Sequence, residues 1–263
     1  MTSDRIVHQR TGEGVAILRF NRPDRLNAMD RASIAELHRL LGEMGRDDTL
    51  RVVIITGTGR AFSAGADLKE MEETFRTATA VTAAREELQL YQDITRRMAE
   101  SPVVFISAIN GIAVGIGAEL SLASDIRIGS DAAEVMFSEV NRGLFQTNGV
   151  MHFLPRVVGQ GRATQWLLTG ERVKASRLLE AGFLTELVSA ERLIPRAQEL
   201  ADTIAANAPV SVRLIKQLLR RTWEADLETT LQSEIDGVMT CRASEDMGEG
   251  LRAFLEKRKP RWA

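Results

Sequence analysis

Two glutamates stand where a carboxylate could do acid–base chemistry. Glu119 lies in the first turn of a predicted helix whose other residues are mostly alanine, leucine and isoleucine. A carboxylate in such apolar surroundings is costly unless it is capped, paired or catalytic. Glu139 follows a predicted buried strand, where loss of solvent would raise its pKa into a useful range. The two could therefore move protons, although helix capping by Glu119 and an ion pair between Glu139 and Arg142 are the structural alternatives.

Two glycine-containing turns could stabilise an oxyanion beside these acids. Each follows a predicted strand and opens a predicted helix, the first at residues 64–67 and the second at residues 113–120. Small residues at a helix start leave backbone N–H groups unobstructed, and the helix dipole favours negative charge there. One N–H group from each turn, aimed at a single carbonyl oxygen, would contribute roughly 3–4 kcal/mol per donor. Tight strand-to-helix connections without a catalytic role are the alternative.

The elements that must position these residues indicate an α/β fold. Apolar runs, several of them rich in β-branched residues, predict strands at residues 14–20, 51–56, 103–109, 125–128 and 133–137. Amphipathic segments predict helices at residues 30–46 and 82–100, the first with Asp30 as its N-cap. Strands separated by helical segments are typical of α/β proteins.

The last part of the chain has a different pattern. After about residue 190 no strand is predicted, and the periodicity is helical at residues 192–207, 210–223, 227–240 and 245–257. We therefore divide the chain into an α/β core of residues 1–190 and a helical C-terminal region of residues 191–263.

Composition argues against several classes of protein. The chain has 263 residues, 44% of them hydrophobic and 27% charged, which is ordinary for a water-soluble globular protein. Its formal net charge of −2 argues against nucleic acid as a partner. Cys241 is the only cysteine and no paired His/Cys spacing is present, so neither a disulfide nor a metal site is expected. Without a secretory signal or a stretch of ~20 apolar residues, we expect no membrane association and a cytoplasmic location.

An ordered series of short motifs resembles the crotonase family, the enoyl-CoA hydratases and isomerases. The resemblance covers nearly the whole chain, and each motif alone is modest evidence. The motifs are residues 20–28 (FNRPDRLNA), 60–68 (RAFSAGADL), 109–120 (INGIAVGIGAEL), 124–128 (SDIRI), 139–144 (EVNRGL), 154–159 (LPRVVG), 168–171 (LTGE) and 244–258. The resemblance implies a crotonase-like spiral of strand–strand–helix turns with a C-terminal helical trimerisation region, in a homotrimer or homohexamer.

Carried over position by position, the resemblance implies the residues of the site. Glu119 and Glu139 fall on the two positions that are both acidic in the family's hydratases. The backbone N–H groups of Ala64 and Ile116 fall on the family's oxyanion hole. The residues implied to bind the coenzyme A part of the substrate are Arg22, Arg25, Ala64, Gly65, Ala66, Asp67 and Leu68, with Phe254 and Lys257 from a neighbouring subunit. Coenzyme A is part of the acyl-CoA thioester substrate, so no separate cofactor is implied.

The sequence departs from the family pattern around the second acid. Ser138 replaces the proline that commonly precedes it, and Gln-Thr-Asn-Gly-Val at residues 146–150 replaces a glycine-rich run. These residues line the acyl end of the family's pocket. Acyl-chain length, branching and the reaction itself therefore stay open.

The resulting hypothesis is an enoyl-CoA hydratase. Water would add to the β-carbon, with Glu119 positioning and deprotonating it, and Glu139 would protonate the α-carbon of the enolate. Isomerisation of the double bond, or dehydration of a hydroxyacyl-CoA, could use the same groups. Alternatives from other classes are an NAD-dependent oxidoreductase using the turn at residues 57–59, a serine hydrolase using Ser63, and a non-catalytic scaffold. The sequence does not distinguish a trimer from a hexamer, and it does not identify a pathway.

Overall fold

Two β-sheets form the frame of the chain in a computed structural model that describes residues 5–77 and 81–262. The strands are β1 (Ile6–Gly12), β2 (Val15–Phe20), β3 (Val52–Gly57), β4 (Ala61–Ser63), β5 (Val104–Ile109), β6 (Ile112–Val114), β7 (Ile126–Ser130), β8 (Glu134–Met136), β9 (Val173–Lys174) and β10 (Glu186–Val188). The helices are α1 (Arg31–Met44), α2 (Leu68–Thr77), α3 (Val81–Glu100), α4 (Ile116–Ala123), α5 (Val150–Val158), α6 (Gln160–Thr169), α7 (Ala175–Glu180), α8 (Ala190–Ala205), α9 (Pro209–Arg221), α10 (Leu227–Ala243) and α11 (Glu245–Leu255). Short 3-10 helices lie at Pro23–Arg25 and Glu139–Arg142.

The chain alternates between the two sheets. The larger sheet has the order β1-β2-β3-β5-β7-β10 and is parallel except for β1, whereas the smaller sheet has the order β4-β6-β8-β9. Strands β4, β6 and β8 are parallel neighbours, and each follows one strand of the larger sheet: β3, β5 and β7. Repetition of strand, strand and helix produces a spiral, so the predicted α/β fold is confirmed, whereas the trimerisation role of the C-terminal helices stays a prediction.

The strands of the larger sheet are apolar because both faces of the sheet are covered. In β3, Val53 and Ile55 pack into a hydrophobic cluster with α1 and α3. Val52 and Ile54 pack into a second cluster on the opposite face, together with α8. Parallel strands buried on both faces have continuous rather than alternating apolar sequences, and this pattern made the strand predictable.

Helix α8 covers the second face with small side chains. Its buried residues, spaced four apart, are Leu193, Ala197, Ala201 and Ala205. This helix belongs to the predicted C-terminal region, yet it shares a hydrophobic cluster with the strands of the core. The boundary at residue 190 stays a prediction, and the packing of the core extends across it.

The long elements agree with the prediction and several short ones were missed. The five predicted strands and both predicted N-terminal helices are present, and Asp30 caps α1 by accepting a hydrogen bond from the Ser33 N–H at 2.8 Å. Strand β1 was missed because it is a mostly exposed, polar edge strand. Strands β4, β6, β9 and β10 have only two or three residues, too few to show a pattern. Helices α5–α7 were not predicted either.

The last three helices bury little of their surface in the single chain. Helix α10 has no buried residue, and the buried residues of α9 and α11 are limited to Lys216, Asp246 and Ala253. Within the described part of the chain, no helix has both the length and the apolar character of a membrane span.

A buried lysine attaches α9 to the core. The Lys216 ammonium donates hydrogen bonds to the carbonyl oxygens of Met98 at 2.9 Å and Val103 at 2.6 Å. It also forms an ion pair with Asp125 at 2.9 Å, and Arg220 contacts the other oxygen of that carboxylate at 2.8 Å. Burial lowers the pKa of Lys216, and the charge of Asp125 opposes that shift. The lysine therefore joins α9 to α3 and to the residues that flank β5.

We predict that Lys216→Met lowers the free energy of unfolding by about 3 kcal/mol, because removing one partner of a buried ion pair leaves the other partners unsatisfied. Urea denaturation at a fixed protein concentration measures the effect. Lys174→Met is the matched control, since Lys174 is exposed and should change stability by no more than about 0.5 kcal/mol. Equal stability of the two variants would show that Lys216 does not anchor the helix.

Candidate active site

Three loops meet where the strands of the smaller sheet end. Because β4, β6 and β8 are parallel neighbours, their carboxyl ends lie at the same edge of the sheet. Strand β4 leads into residues 64–67, β6 into the start of α4, and β8 into the 3-10 helix that contains Glu139. A cavity of about 540 Å³ lies among these loops and is lined by both Glu119 and Glu139. The fold thus brings the two predicted acids to one cavity.

Glycines let the first two loops touch backbone to backbone. A Cβ atom on Gly65 would lie 2.7 Å from the carbonyl oxygen of Val114, at the end of β6. A Cβ atom on Gly117 would lie 2.6 Å from the carbonyl oxygen of Ser63, at the end of β4. Gly65 also has a φ of +91°, which disfavours any residue with a side chain. The absence of two side chains therefore sets the spacing of the loops.

The prediction that the Ala64 N–H group is an oxyanion donor is wrong. The Ala64 N–H group donates a hydrogen bond to the carbonyl oxygen of Leu26 at 2.9 Å, so it is occupied within the protein. Leu26 itself has a φ of +51°, as the C-cap of a short 3-10 helix. Ala64 still lines the cavity, but its backbone serves to attach the loop to the preceding turn.

The Ala66 N–H group takes the place of Ala64. Residues 65–67 form a parallel bridge with Met29, in which the Met29 N–H donates to Gly65 at 2.8 Å and the Asp67 N–H donates to Met29 at 2.9 Å. Successive N–H groups of an extended chain point to opposite sides, so that of Ala66 points away from Met29. Across residues 5–77 and 81–262 we find no acceptor for it, and Ala66 lines the cavity. The structure thus leaves Ala66, not Ala64, with a free donor.

Ile116 provides the donor of the second loop. It is the first residue of α4, directly after the N-cap Gly115, and N–H groups of a first helical turn have no acceptor within the helix. No acceptor for the Ile116 N–H is found among the described residues. Ile116 lines the cavity, while its side chain packs in the main hydrophobic cluster. Isoleucine at this position therefore leaves the backbone donor available.

Glu119 is held by the loop that follows Glu139. Its side chain is buried, with 2% of its surface exposed. One carboxylate oxygen accepts a hydrogen bond from the Thr147 N–H at 3.2 Å, and the other accepts one from the Asn148 side-chain amide at 2.7 Å. Burial, followed by repulsion from Glu139, raises the pKa of Glu119 to about 7. These contacts point to the loop, so a helix cap does not explain the residue.

Glu139 is less constrained than Glu119. One of its carboxylate oxygens accepts a long hydrogen bond, 3.4 Å, from the side-chain amide of Gln146. The other lies close to Gly115, 3.0 Å from the point where a Cβ atom would stand. Burial raises the pKa of Glu139. Arg142 donates to the Ser138 carbonyl oxygen, and its charge partly opposes the rise in the pKa of Glu139. The predicted ion pair between Glu139 and Arg142 is not found among the described residues, although the two charges interact at longer range.

Some of the residues predicted to bind coenzyme A line the cavity and the others do not. Residues 64–68 all line the cavity. Arg22 is instead engaged by the protein, since its guanidinium contacts Asp30 at 3.3 Å and Asp67 at 3.2 Å. The other three, Arg25, Phe254 and Lys257, are exposed and do not line the cavity.

The apolar end of the cavity was not predicted from the sequence. Its large side chains are Leu68 and Met71 on α2, Leu88 and Tyr91 on α3, and Leu144 and Phe145 after Glu139. Burial, with the nearby carboxylates of Glu87 and Glu70, raises the pKa of Tyr91 to about 12, so its phenol is neutral. These residues form no motif, and only the fold brings them together.

The two other catalytic classes considered from the sequence, a serine hydrolase and an NAD-dependent oxidoreductase, rest on residues that have structural roles. Ser63 is buried, and its hydroxyl donates to the carbonyl oxygen of Asn27 at 2.8 Å, with no histidine contact among the described residues. In the turn at residues 57–59, the Gly57 N–H donates to the Asn110 side chain and the Thr58 N–H is also occupied. Neither a serine nucleophile nor a phosphate-binding turn is therefore available at these positions.

Comparisons with known proteins identify the family of the chain. The family model described as enoyl-CoA hydratase/isomerase matches residues 10–263. The chain is 35% identical to the short-chain-enoyl-CoA hydratase of Clostridium acetobutylicum, over 98% of this chain and 97% of that one. It is 36% identical to the 1,2-epoxyphenylacetyl-CoA isomerase of Escherichia coli, over 95% of each.

A solved structure shares both the fold and the sequence. The crystal structure of an enoyl-CoA hydratase from Bacillus anthracis has a TM-score of 0.92 and 35% identity, and the match covers 98% of this chain and 99% of that one. The family model and this curated relative both match nearly the whole chain. The chain belongs to the enoyl-CoA hydratase/isomerase family, the crotonase family that its sequence motifs resemble.

Proposed function

We propose that the protein adds water across the 2,3 double bond of an enoyl-CoA thioester. The observation that carries the proposal is the convergence of a buried carboxyl group, Glu119, a half-buried one, Glu139, and two backbone donors, Ala66 and Ile116, on one cavity. Relatives named as hydratases support it. The relative named as an isomerase makes double-bond isomerisation the second candidate.

The two backbone donors account for activation of the thioester. Its carbonyl oxygen would lie between the N–H groups of Ala66 and Ile116. When water attacks the β-carbon, the π electrons of the double bond move towards the α-carbon and the carbonyl oxygen. Donors already aimed at that oxygen would stabilise the enolate by roughly 3–4 kcal/mol each.

The contacts of the two glutamates suggest different roles. Two hydrogen-bond donors hold Glu119 and favour its ionised form, so it would orient the water and accept its proton. Glu139 has one carboxylate oxygen beside Gly115, next to the donor residue Ile116. Glu139 would deliver a proton to the α-carbon, so the reaction starts from the form of the pair in which Glu139 is protonated. The product gains the hydroxyl group at the β-carbon and one hydrogen at the α-carbon.

Coenzyme A would follow the loop that carries the first donor. Residues 64–68 line the cavity and offer backbone groups to it. Arg22 would act indirectly, because its contact with Asp67 holds this loop. Arg25, with Phe254 and Lys257 of a neighbouring subunit, remains our proposal for the adenosine phosphates.

A panel of acyl-CoA substrates tests the reaction. Hydration of crotonyl-CoA or a longer 2-enoyl-CoA removes the conjugated thioester and lowers its ultraviolet absorbance. Isomerisation of a 3-enoyl-CoA creates that chromophore and raises the absorbance. A chain that isomerises the 3-enoyl substrates and hydrates none of the 2-enoyl substrates would refute the hydratase proposal.

We predict that Glu119→Gln and Glu139→Gln each reduce kcat by ~10²–10⁴-fold, because each removes a positioned proton-transfer group. Binding of a saturated acyl-CoA, measured by calorimetry, should remain within a few fold. Glu134→Gln is the matched control, since Glu134 lies in β8 beside Arg172 and does not line the cavity. Near-normal hydration by Glu119→Gln would contradict the two-acid mechanism.

Stability separates loss of chemistry from loss of fold in these variants. Since the pKa of Glu119 is raised to about 7 in the folded chain, ionising it destabilises the fold as pH rises from 4.5, its ordinary value, towards 7. At pH 8, Glu119→Gln should therefore be as stable as the natural chain or more stable, with a gain of up to about 3 kcal/mol in the free energy of unfolding. An inactive variant that is also less stable would point to misfolding.

We predict a bell-shaped dependence of kcat/KM on pH, because the active form of the pair carries one proton. The pKa of Glu119, raised to about 7 with an ionised Glu139 nearby, places the loss of the last proton near pH 7. Activity should fall above that pH, and again at low pH when a second proton binds. Initial rates at subsaturating crotonyl-CoA measure the profile. A flat profile from pH 6 to 9 would exclude a titrating carboxyl pair.

We extend the proposal to assembly as a homotrimer or homohexamer in the cytoplasm. Large exposed apolar side chains are concentrated near the C-terminus: Ile215, Leu219, Trp223, Leu227, Leu231, Ile235, Val238, Met239, Met247, Leu251, Phe254 and Leu255. Such a concentration marks a protein interface better than a solvent-exposed surface. A single free cysteine, Cys241, fits a reducing compartment.

We predict that Ile235→Glu dissociates the assembly, because it places a charge in the proposed apolar interface. Light scattering should give three or six chains for the natural protein and a smaller mass for the variant. Leu168→Glu is the control, since Leu168 is exposed but lies on α6, outside the last three helices. A monomeric natural protein, or an unchanged mass for Ile235→Glu, would contradict this interface.

A further inference from the structure

Two side-chain amides of one short segment contact the two catalytic carboxylates. Gln146 donates to Glu139 at 3.4 Å, and Asn148 donates to Glu119 at 2.7 Å. Between them, the Thr147 N–H donates to the second oxygen of Glu119 at 3.2 Å. Residues 146–148 are part of the run that departs from the family's glycine-rich pattern, and glycine or alanine there would lack both amides. The arrangement is therefore a property of this chain's own residues.

The burial of Asn148 has no explanation apart from Glu119. Its side chain is 1% exposed, yet its amide oxygen has no hydrogen-bond partner among the described residues. An unsatisfied buried oxygen destabilises the fold, and an apolar side chain would avoid that cost. Within the part of the chain that the structure describes, the one polar contact of the side chain is the hydrogen bond that its nitrogen donates to Glu119.

The backbone holds this amide in place. The Thr95 hydroxyl on α3 lies 3.5 Å from the Asn148 carbonyl oxygen, and the Gln92 amide on the same helix donates to the Thr147 carbonyl oxygen at 3.3 Å. The segment is thus joined to α3 through its main chain, and its side chains are directed by that attachment. Asn148 therefore presents its donor without a rearrangement when Glu119 ionises.

Unequal hydrogen bonding distinguishes the two acids. A donor to a carboxylate stabilises the ionised form, and a short charge-assisted bond does so more strongly than a long one. Glu119 accepts from two donors, one of them at 2.7 Å, whereas Glu139 accepts from Gln146 at 3.4 Å and is also stabilised as an anion by its own N–H group and by the charge of Arg142. The two donors to Glu119 limit the rise in its pKa that burial and repulsion from Glu139 produce.

We propose, on the basis of the hydratase function above, that Asn148 is a positioning residue that orients the Glu119 carboxylate towards water and stabilises its ionised form against burial and the charge of Glu139. Asn148 acts through Glu119 and need not touch the substrate, since it does not line the cavity. Gln146 makes the corresponding, weaker contact with Glu139.

Two variants of Asn148 test this role. Asn148→Leu removes the donor and keeps the branching and number of heavy atoms of the side chain, and Asn148→Ala removes the donor together with most of the side chain. In both, the alkaline limb of the kcat/KM profile should move up by about one pH unit, because Glu119 loses a donor to its ionised form. At pH 7, kcat should fall about tenfold while KM changes less than twofold. An unchanged pH profile in Asn148→Leu would overturn the proposal even if kcat fell.

A control in the 3-10 helix that precedes this segment separates the effect of the Asn148 donor from disturbance of the loop. Asn141→Ala also removes an amide, but Asn141 donates to the Gly170 carbonyl oxygen and contacts neither glutamate. Its pH profile should coincide with that of the natural chain. A shift as large in Asn141→Ala as in Asn148→Leu would show that loop integrity, and not the Asn148 donor, sets the profile.

A measurement without substrate distinguishes failure of this inference from failure of the proposed function. The infrared carboxylic-acid band of Glu119, identified by its loss in Glu119→Gln, should titrate about one pH unit higher in Asn148→Leu than in the natural chain. If the shift occurs and no 2-enoyl-CoA is hydrated, the hydratase function is wrong but the control of Glu119 by Asn148 stands. If hydration occurs and the band does not shift, the role of Asn148 is refuted.

Discussion

The site depends on close contact between two backbones at the ends of β4 and β6. Parallel pairing of these short strands brings the loops together, and the final approach requires that Gly65 and Gly117 have no side chain. A methyl group at either position would force the loops apart by several tenths of an ångström, since its Cβ atom would lie only 2.6–2.7 Å from a backbone oxygen of the other loop. The separation of the Ala66 and Ile116 donors is therefore a consequence of packing, and the cofactor-free chemistry proposed here relies on that separation.

A second constraint determines which N–H groups face the cavity. Asn27 has a φ of +57°, is buried, and its side-chain amide donates to the carbonyl oxygens of Thr58 and Ala61. These bonds attach the turn before α1 to the connection between β3 and β4. The neighbouring Leu26 carbonyl can then occupy the Ala64 N–H, which leaves the next outward-facing donor at Ala66. The motif at residues 20–28 thus contributes to the site without contacting the proposed chemistry.

This explains why the sequence located the site but misplaced one donor. The strand-to-helix turns and the acids Glu119 and Glu139 could be predicted, because apolar periodicity and isolated carboxylates are local signals. The choice between Ala64 and Ala66 could not, because it depends on hydrogen bonds to Leu26 and Met29, more than thirty residues away. The apolar lining from α2 and α3 could not be predicted for the same reason. Met71 and Leu88 have the spacing of ordinary helical residues, and only the folded chain brings them to the cavity. The polar strand β1 was missed because it lies at the edge of the sheet, where burial does not impose an apolar pattern.

Placing two carboxyl groups in one buried site creates a conflict that the surrounding hydrogen bonds resolve. Burial and mutual repulsion oppose two charges, so the pair favours a state with a single proton. In a symmetric environment neither carboxyl group would be favoured as the base that accepts the proton of water. The loop after Glu139 removes the symmetry, because it directs two donors to Glu119 and one long contact to Glu139, and the donors to Glu119 partly offset the rise in its pKa caused by burial and repulsion. The same peptide segment therefore follows one acid in the chain and stabilises the ionised form of the other, which links the two proposed proton-transfer groups through a stretch of ten residues, 139–148.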